Sequence, residues 1–156
     1  MTSYRINGLP IEHFANLFGR SDAELAEIGA VRVQADHKPG YPCRITLEDA
    51  EVGEPLILLN LEDHAVGSPY RNRYAIYVRE RATQAAALEN ALPSVFNNRP
   101  IALRAFDEAG MLRNAALALA NDAGAKIEQL FADPSVGYLH AHNAAHGCFA
   151  ARIDRG

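Results

Sequence analysis

The 156-residue chain contains no tryptophan, only two lysines (Lys38 and Lys126) and only two cysteines (Cys43 and Cys148). Two cysteines about a hundred residues apart form neither a zinc-finger spacing nor a disulfide framework. Without an export signal they are expected as reduced thiols. No apolar run approaches the roughly 20 residues that span a bilayer. The opening Met1 to Asn7 lacks the apolar stretch of a signal peptide, so a cytoplasmic location away from membranes is expected. No glycine-rich phosphate loop and no dinucleotide fingerprint follows a strand-like segment. A net charge of −4 with a pI near 5.8 speaks against nucleic acid as a partner.

What the chain does have is ordinary for a globular protein: 49% hydrophobic and 22% charged residues. Its length suits a single domain over residues 1–156, large enough for a core without disulfides or metal. Strand-like alternation or apolar runs occur at Tyr4 to Asn7, Val31 to Gln34, Cys43 to Leu47, Leu56 to Leu61, Tyr74 to Val78 and Ile101 to Phe106. Helical spacing is seen from Pro10 to Phe18. A Ser21/Glu24 capping box introduces Asp22 to Ile28, and Asn121 or Asp122 to Phe131 carries Ile127, Leu130 and Phe131 on one side. Ala82 to Asn90 is compatible with a helix or with disorder, and Glu62 to Tyr70 reads as a loop. Strands cluster rather than alternate with helices. The expected class is α+β, with a largely antiparallel sheet and three or four short helices, ending in a β-hairpin.

The terminal hairpin, Val136 to His142 and Cys148 to Ile153, holds the densest chemistry. Strand alternation puts Tyr138, His140 and His142 on one face. With Gly147 as the left-handed residue of a three-residue loop, Ala144 pairs with Cys148, His142 with Ala150 and His140 with Arg152. Phe149 and Ile153 then lie on the opposite, apolar face. His140 and His142 become candidates for acid–base catalysis, with Cys148 as a neighbouring thiol. No cofactor and no metal are expected, because two imidazoles and a thiol beside an arginine make an electrostatically poor cation site.

Thirteen of the fifteen basic residues are arginine, which recognises carboxylate and phosphate by paired hydrogen bonds. Arg44, Arg79, Arg104 and Arg152 each alternate away from apolar neighbours. Arg44, Arg79 and Arg152, with Asn143, are therefore candidates for clamping a small anion. The alternative for these arginines is a solvated face on which each pairs with a nearby carboxylate. His37 and His64 stand in expected loops beside Asp36 and Asp63.

Several stretches together resemble a family of small bacterial proteins classed only as a domain of unknown function, family 1203. They are Asn7-Gly8-Leu9-Pro10, Tyr41-Pro42-Cys43-Arg44, Ser68-Pro69-Tyr70-Arg71, Val78-Arg79-Glu80, His140-Ala141-His142-Asn143 and Gly147-Cys148-Phe149-Ala150-Ala151-Arg152. The likeness runs over nearly the whole chain, and its C-terminal motif is the most specific part. Ala82 to Arg99 departs from it in being rich in alanine. The resemblance implies a stand-alone bacterial domain and no particular reaction. Two functions follow as expectations. One is a polar pocket on the sheet and hairpin that takes a small anionic molecule, with histidine acid–base chemistry. The other is a non-catalytic domain whose strand edges or arginine face meet a protein partner or a second copy. A concave pocket distinguishes the first from the flat surface of the second.

Overall fold

The protein is described from a computed structural model covering residues 2–156. Among the described residues nine strands form in chain order: Tyr4–Asn7 (β1), Val31–Gln34 (β2), Pro55–His64 (β3), Asn72–Arg79 (β4), Ala87–Glu89 (β5), Ile101–Phe106 (β6), Leu112–Ala118 (β7), Tyr138–Asn143 (β8) and Phe149–Arg155 (β9). The α-helices are Asp22–Glu27 (α1) and Ala123–Phe131 (α2). A six-stranded sheet runs β5-β1-β9-β8-β6-β7 and a three-stranded sheet runs β2-β3-β4, with antiparallel pairing throughout both. No helix of the described residues is long and apolar enough to cross a membrane.

Each sheet has its own core. Ile101, Leu103, Leu139, Ala141 and Ile153 of the large sheet bury against Ile127, Leu130 and Phe131 of α2, the helical stripe expected from the sequence. Removing each of the larger of these side chains from water contributes about 1.5–3 kcal/mol, and Ala141 less. Leu25 of α1 closes over Ile57, Ile76 and Val78 of the small sheet. The end of β3 reaches the opposite face of the large sheet, where His64 stacks against Phe106, Tyr138 and His140.

The α+β class therefore stands, but the fold is dominated by strands, with two α-helices among the described residues rather than three or four. Pro10 to Phe18 forms two 3-10 turns, Ile11–His13 and Ala15–Leu17, because Phe14 leaves helical geometry at φ −125°. Ala82 to Asn90 is neither helix nor disorder but leads into the short edge strand β5. Cys43 to Leu47 is a turn, not a strand. Leu47 takes φ 54° and donates from its amide to the Cys43 carbonyl at 3.0 Å. The Cys43 sulfur accepts from the amides of Ile45 and Thr46, which satisfies groups that a strand partner would otherwise serve. Glu62 to His64 prolongs β3 instead of opening a loop. Arg73 pairs with Glu62 at 2.9 Å across the ladder, and the register slips between Glu62 and His64, leaving Asp63 as a bulge.

The terminal hairpin corrects the expected register in one half. His140 does face Arg152, but His142 faces Phe149 rather than Ala150. The turn holds four residues: the Asn143 amide donates to the Cys148 carbonyl at 2.9 Å, and the Gly147 amide to the Asn143 carbonyl at 2.7 Å. Gly147 keeps the expected left-handed conformation, φ 78°. The offset this introduces ends at a bulge between Ala141 and His142, where Ala150 is the extra residue on β9. Phe149 consequently lies on the histidine face, 5.0 Å from His140 and 6.0 Å from His142 between ring centroids. Binary patterning fixes register only where one face meets water, which is what forbids a slip. All six residues of β8 are buried, so either face can take an apolar ring and alternation no longer decides.

Candidate functional site

A cavity of about 480 Å3 opens between the Pro39–Arg44 segment, β4, residues 97–100 and the β8–β9 turn. Tyr74, Tyr77, Leu58, Pro42 and Pro100 supply apolar wall, while Arg44, Asn143 and Cys148 bring polar atoms together. Arg44 is only 2% exposed. Its Nε donates to the Phe149 carbonyl at 2.7 Å, Nη1 to the Pro42 carbonyl at 2.6 Å and Nη2 to the Cys148 sulfur at 3.0 Å. The Asn143 amide donates to the same sulfur at 3.3 Å. Among the described residues no carboxylate lies within ion-pair distance of Arg44. Burial pulls its pKa below the usual guanidinium value, and the Cys148 sulfur opposes that shift. A guanidinium nevertheless stays protonated in proteins, so the wall carries a buried, uncompensated positive charge.

The other expected clamp residues are engaged elsewhere. Arg79 forms two hydrogen bonds to the Glu54 carboxylate, at 3.0 and 2.8 Å. Arg152 binds Asp154 at 2.8 Å and lies 4.0 Å over the Tyr138 ring. Neither lines the cavity that contains Arg44. The structure thus brings Arg44, Asn143 and Cys148 together and leaves Arg79 and Arg152 apart from them, paired to carboxylates. Arg44 also differs from the expectation in its setting, a turn rather than a strand.

His140 and His142 form a separate centre, outside the wall of the Arg44 cavity. His140 is 3% and His142 1% exposed, far from the solvated face that polar residues on a strand suggest. His142 hydrogen-bonds the Gly147 carbonyl through Nδ1 at 2.9 Å, so Nδ1 carries the proton and Nε2 is the free lone pair. His140 Nδ1 is buried without any partner. Burial first, then the charges of His64, His142, Arg152 and Arg104, push the His140 pKa down to about 2. Burial also lowers that of His142 against the pull of the Gly147 carbonyl. Both imidazoles are neutral at physiological pH.

Three contributors escape a reading of the sequence. Arg99 reaches the cavity with its charge already met by Asp49 at 2.6 Å. The only local signal is the polar Asn97-Asn98-Arg99-Pro100 turn. Asp63 lies beside the two histidines, aimed there by the bulge in β3. His64, expected in a loop, ends β3 and is buried, hydrogen-bonding Tyr138 Oη at 2.7 Å and the Tyr70 carbonyl at 2.9 Å. No curated protein and no solved structure matches the chain. A family described as protein of unknown function (DUF1203) matches residues 40–155, the span that holds Arg44, Asp63, both histidines, Asn143 and Cys148. The chain belongs to that family.

Proposed function

We propose that the Arg44 cavity binds a small organic anion, with its carboxylate on the guanidinium and a flat apolar body beside Tyr74 and Tyr77. The observation that carries this reading is the buried Arg44 charge with no carboxylate to meet it. Two carbonyls and a sulfur satisfy part of the hydrogen-bonding capacity of the five-donor guanidinium, but they do not neutralise it. A buried, uncompensated charge is costly, and an arriving anion removes that cost. The volume falls within the range usual for small-molecule sites, about 300–1,000 Å3. A concave site with converging polar groups favours a ligand over a flat protein interface. The Asn143 side-chain amide lines the cavity beside the guanidinium, and both donate to the Cys148 sulfur. Because His140 and His142 lie outside the cavity wall, the proposal assigns them no acid–base step on this ligand.

Isothermal calorimetry with benzoate as the probe tests the reading. Wild type is expected to bind one equivalent, and Arg152→Ala to bind equally well. Arg44→Met is expected to abolish binding. Asn143→Ala, which keeps the guanidinium in place, is expected to weaken binding and serves as the second variant if Arg44→Met does not fold. Absence of benzoate binding to wild type, or equal binding by wild type and both cavity variants, refutes the proposal.

A further inference from the structure

We infer that Asp63, His140 and His142 form a binding site for a single divalent transition-metal ion of the zinc type, separate from the Arg44 cavity. One ligand atom from each side chain lies within 4.8 Å of the other two. Among the described residues no hydrogen bond joins the three side chains to one another, and His140 Nδ1 is buried with no partner at all. Three side chains able to ligate a metal thus converge, and one of them has a buried nitrogen that no group of the described residues meets. Bonds of about 2.0–2.1 Å in tetrahedral geometry put ligand atoms roughly 3.4 Å apart, so closing on an ion takes side-chain movement of about an ångström.

The surroundings match what metal ligands need. His142 is oriented by its Nδ1–H bond to the Gly147 carbonyl, the outer-shell contact that fixes a ligating histidine with its other nitrogen free. Asp63 is held by the Asn72 side-chain amide, which donates to its two oxygens at 3.0 and 2.9 Å. A carboxylate has lone pairs enough to keep that bond and to ligate as well. Two imidazoles and one carboxylate suit zinc-like ions rather than magnesium or calcium, which prefer oxygen alone. Asp63 is half-buried.

Three register shifts surround this centre. One aims Asp63, one carries Phe149 onto the histidine face, and one lies at Phe106 between β6 and β7. Bulges of this kind re-aim side chains next to functional sites.

The expectation from sequence was the opposite, because an arginine near His140 repels a cation. The structure changes that balance in two ways. Arg152 is paired with Asp154 at the surface, and Asp63 adds a negative charge that the apposed strands β8 and β9 do not bring to the histidines. Arg104 remains, facing His140 across the β6–β8 ladder, and the Arg44 charge also reaches His142. These charges favour an anion, hydroxide or carboxylate, in the coordination position that three protein ligands leave open.

The test is titration of chelator-treated protein with Co2+, followed by visible d–d absorption, with Zn2+ competition and thermal melting as independent readouts. Wild type is expected to bind one equivalent and to melt at a higher temperature with Zn2+. Asp63→Asn preserves shape and is half-buried, so it is expected to fold and to lose more than about 100-fold in affinity. Asn72→Ala is expected to lose about 10–100-fold, as outer-shell removals do. Benzoate binding at Arg44 is expected to be unchanged in both variants. Absence of Co2+ binding to wild type, or equal binding by wild type and Asp63→Asn, overturns the assignment and leaves the gap to water.

Discussion

Arg44 and Cys148 stand 104 positions apart in the chain, yet Nη2 of one lies 3.0 Å from the sulfur of the other. The contact ties the turn after Pro42 to the terminal hairpin, and the Nε bond to the Phe149 carbonyl reinforces it. Arg44→Met removes every donor and leaves the carbonyls of Phe149 and Pro42 with less to bond. Each stranded buried acceptor costs about 1–3 kcal/mol, so a loss of about 3 kcal/mol is expected in urea denaturation. Arg44→Lys is expected to rescue little of it, since an ammonium cannot reach three acceptors in a planar fork. A loss under about 0.5 kcal/mol in Arg44→Met would show that the contact is not structural.

Phe149→Ala deletes a ring that is 2% exposed and lies between two imidazoles. The expected cost is about 3–5 kcal/mol, typical of a buried phenylalanine. The ring proton signals of His140 and His142 in NMR spectra are expected to shift, because they lose an aromatic neighbour. Unmoved histidine signals would place Phe149 on the other face.

How much of this was legible beforehand varies along the hairpin. The expected pairing of His140 with Arg152 holds, although the turn has four residues rather than three, because the bulge at Ala150 takes up the offset. The pairing of His142 does not follow, because alternation locates a side chain only where one face is wet. Asp63 was hidden in a polar run that looks like a loop. The bulge that aims it exists only when β3 pairs with β4, a long-range event with no local signature. The capping box and the apolar stripe of α2 were plain because both are local. For the arginines, residue type pointed to anions, but separating Arg44 from Arg79 and Arg152 requires knowing which carboxylates fold up beside them.

Glu54 is buried beside Arg79. Burial pushes its carboxyl pKa up, but the Arg79 hydrogen bonds and the Glu51 amide outweigh this and hold it below the usual glutamate value. A carboxyl depressed in the folded state contributes stability that is complete above its unfolded pKa, about 4.3. That stability is lost as pH falls through the lower folded value. Glu54→Gln is expected to flatten this acid limb of a stability–pH profile. At pH 7 Glu54→Ala is expected to cost about 3 kcal/mol by stranding the guanidinium. An unchanged acid limb in Glu54→Gln would remove Glu54 from the account.

Gly8 is a steric requirement. A methyl group there would lie 1.8 Å from the Ile45 carbonyl oxygen, a backbone atom that also accepts the Ala86 amide at 2.8 Å. Gly8→Ala is expected to cost about 3 kcal/mol or more through this overlap. Gly67→Ala, with nothing within 4 Å, is expected to stay within about 0.5 kcal/mol. Thermal melts of the pair make the comparison, and equal melting points would contradict it.

Ser21 accepts the Glu24 amide at 3.1 Å, and Glu24 accepts the Ser21 amide at 3.2 Å. Ser21→Ala is expected to cost about 1 kcal/mol, seen as a lower urea midpoint at constant slope. A changed slope would instead indicate an altered unfolded or folded ensemble.

The strand order has a consequence for how the chain reaches this structure. β1 lies between β5 and β9, with Tyr4 opposite Arg155. On a growing chain, β1 is made first and can complete both of its ladders only after β9 has been synthesised. Until then Ile6, fully buried in the finished sheet, lacks its partner Ile153. Closing so long a loop delays the reward for every contact that depends on it, which places the domain among the slow, non-local folders. The large sheet therefore closes only once β9 is available, and its earlier strands need protection from foreign pairing in the interval.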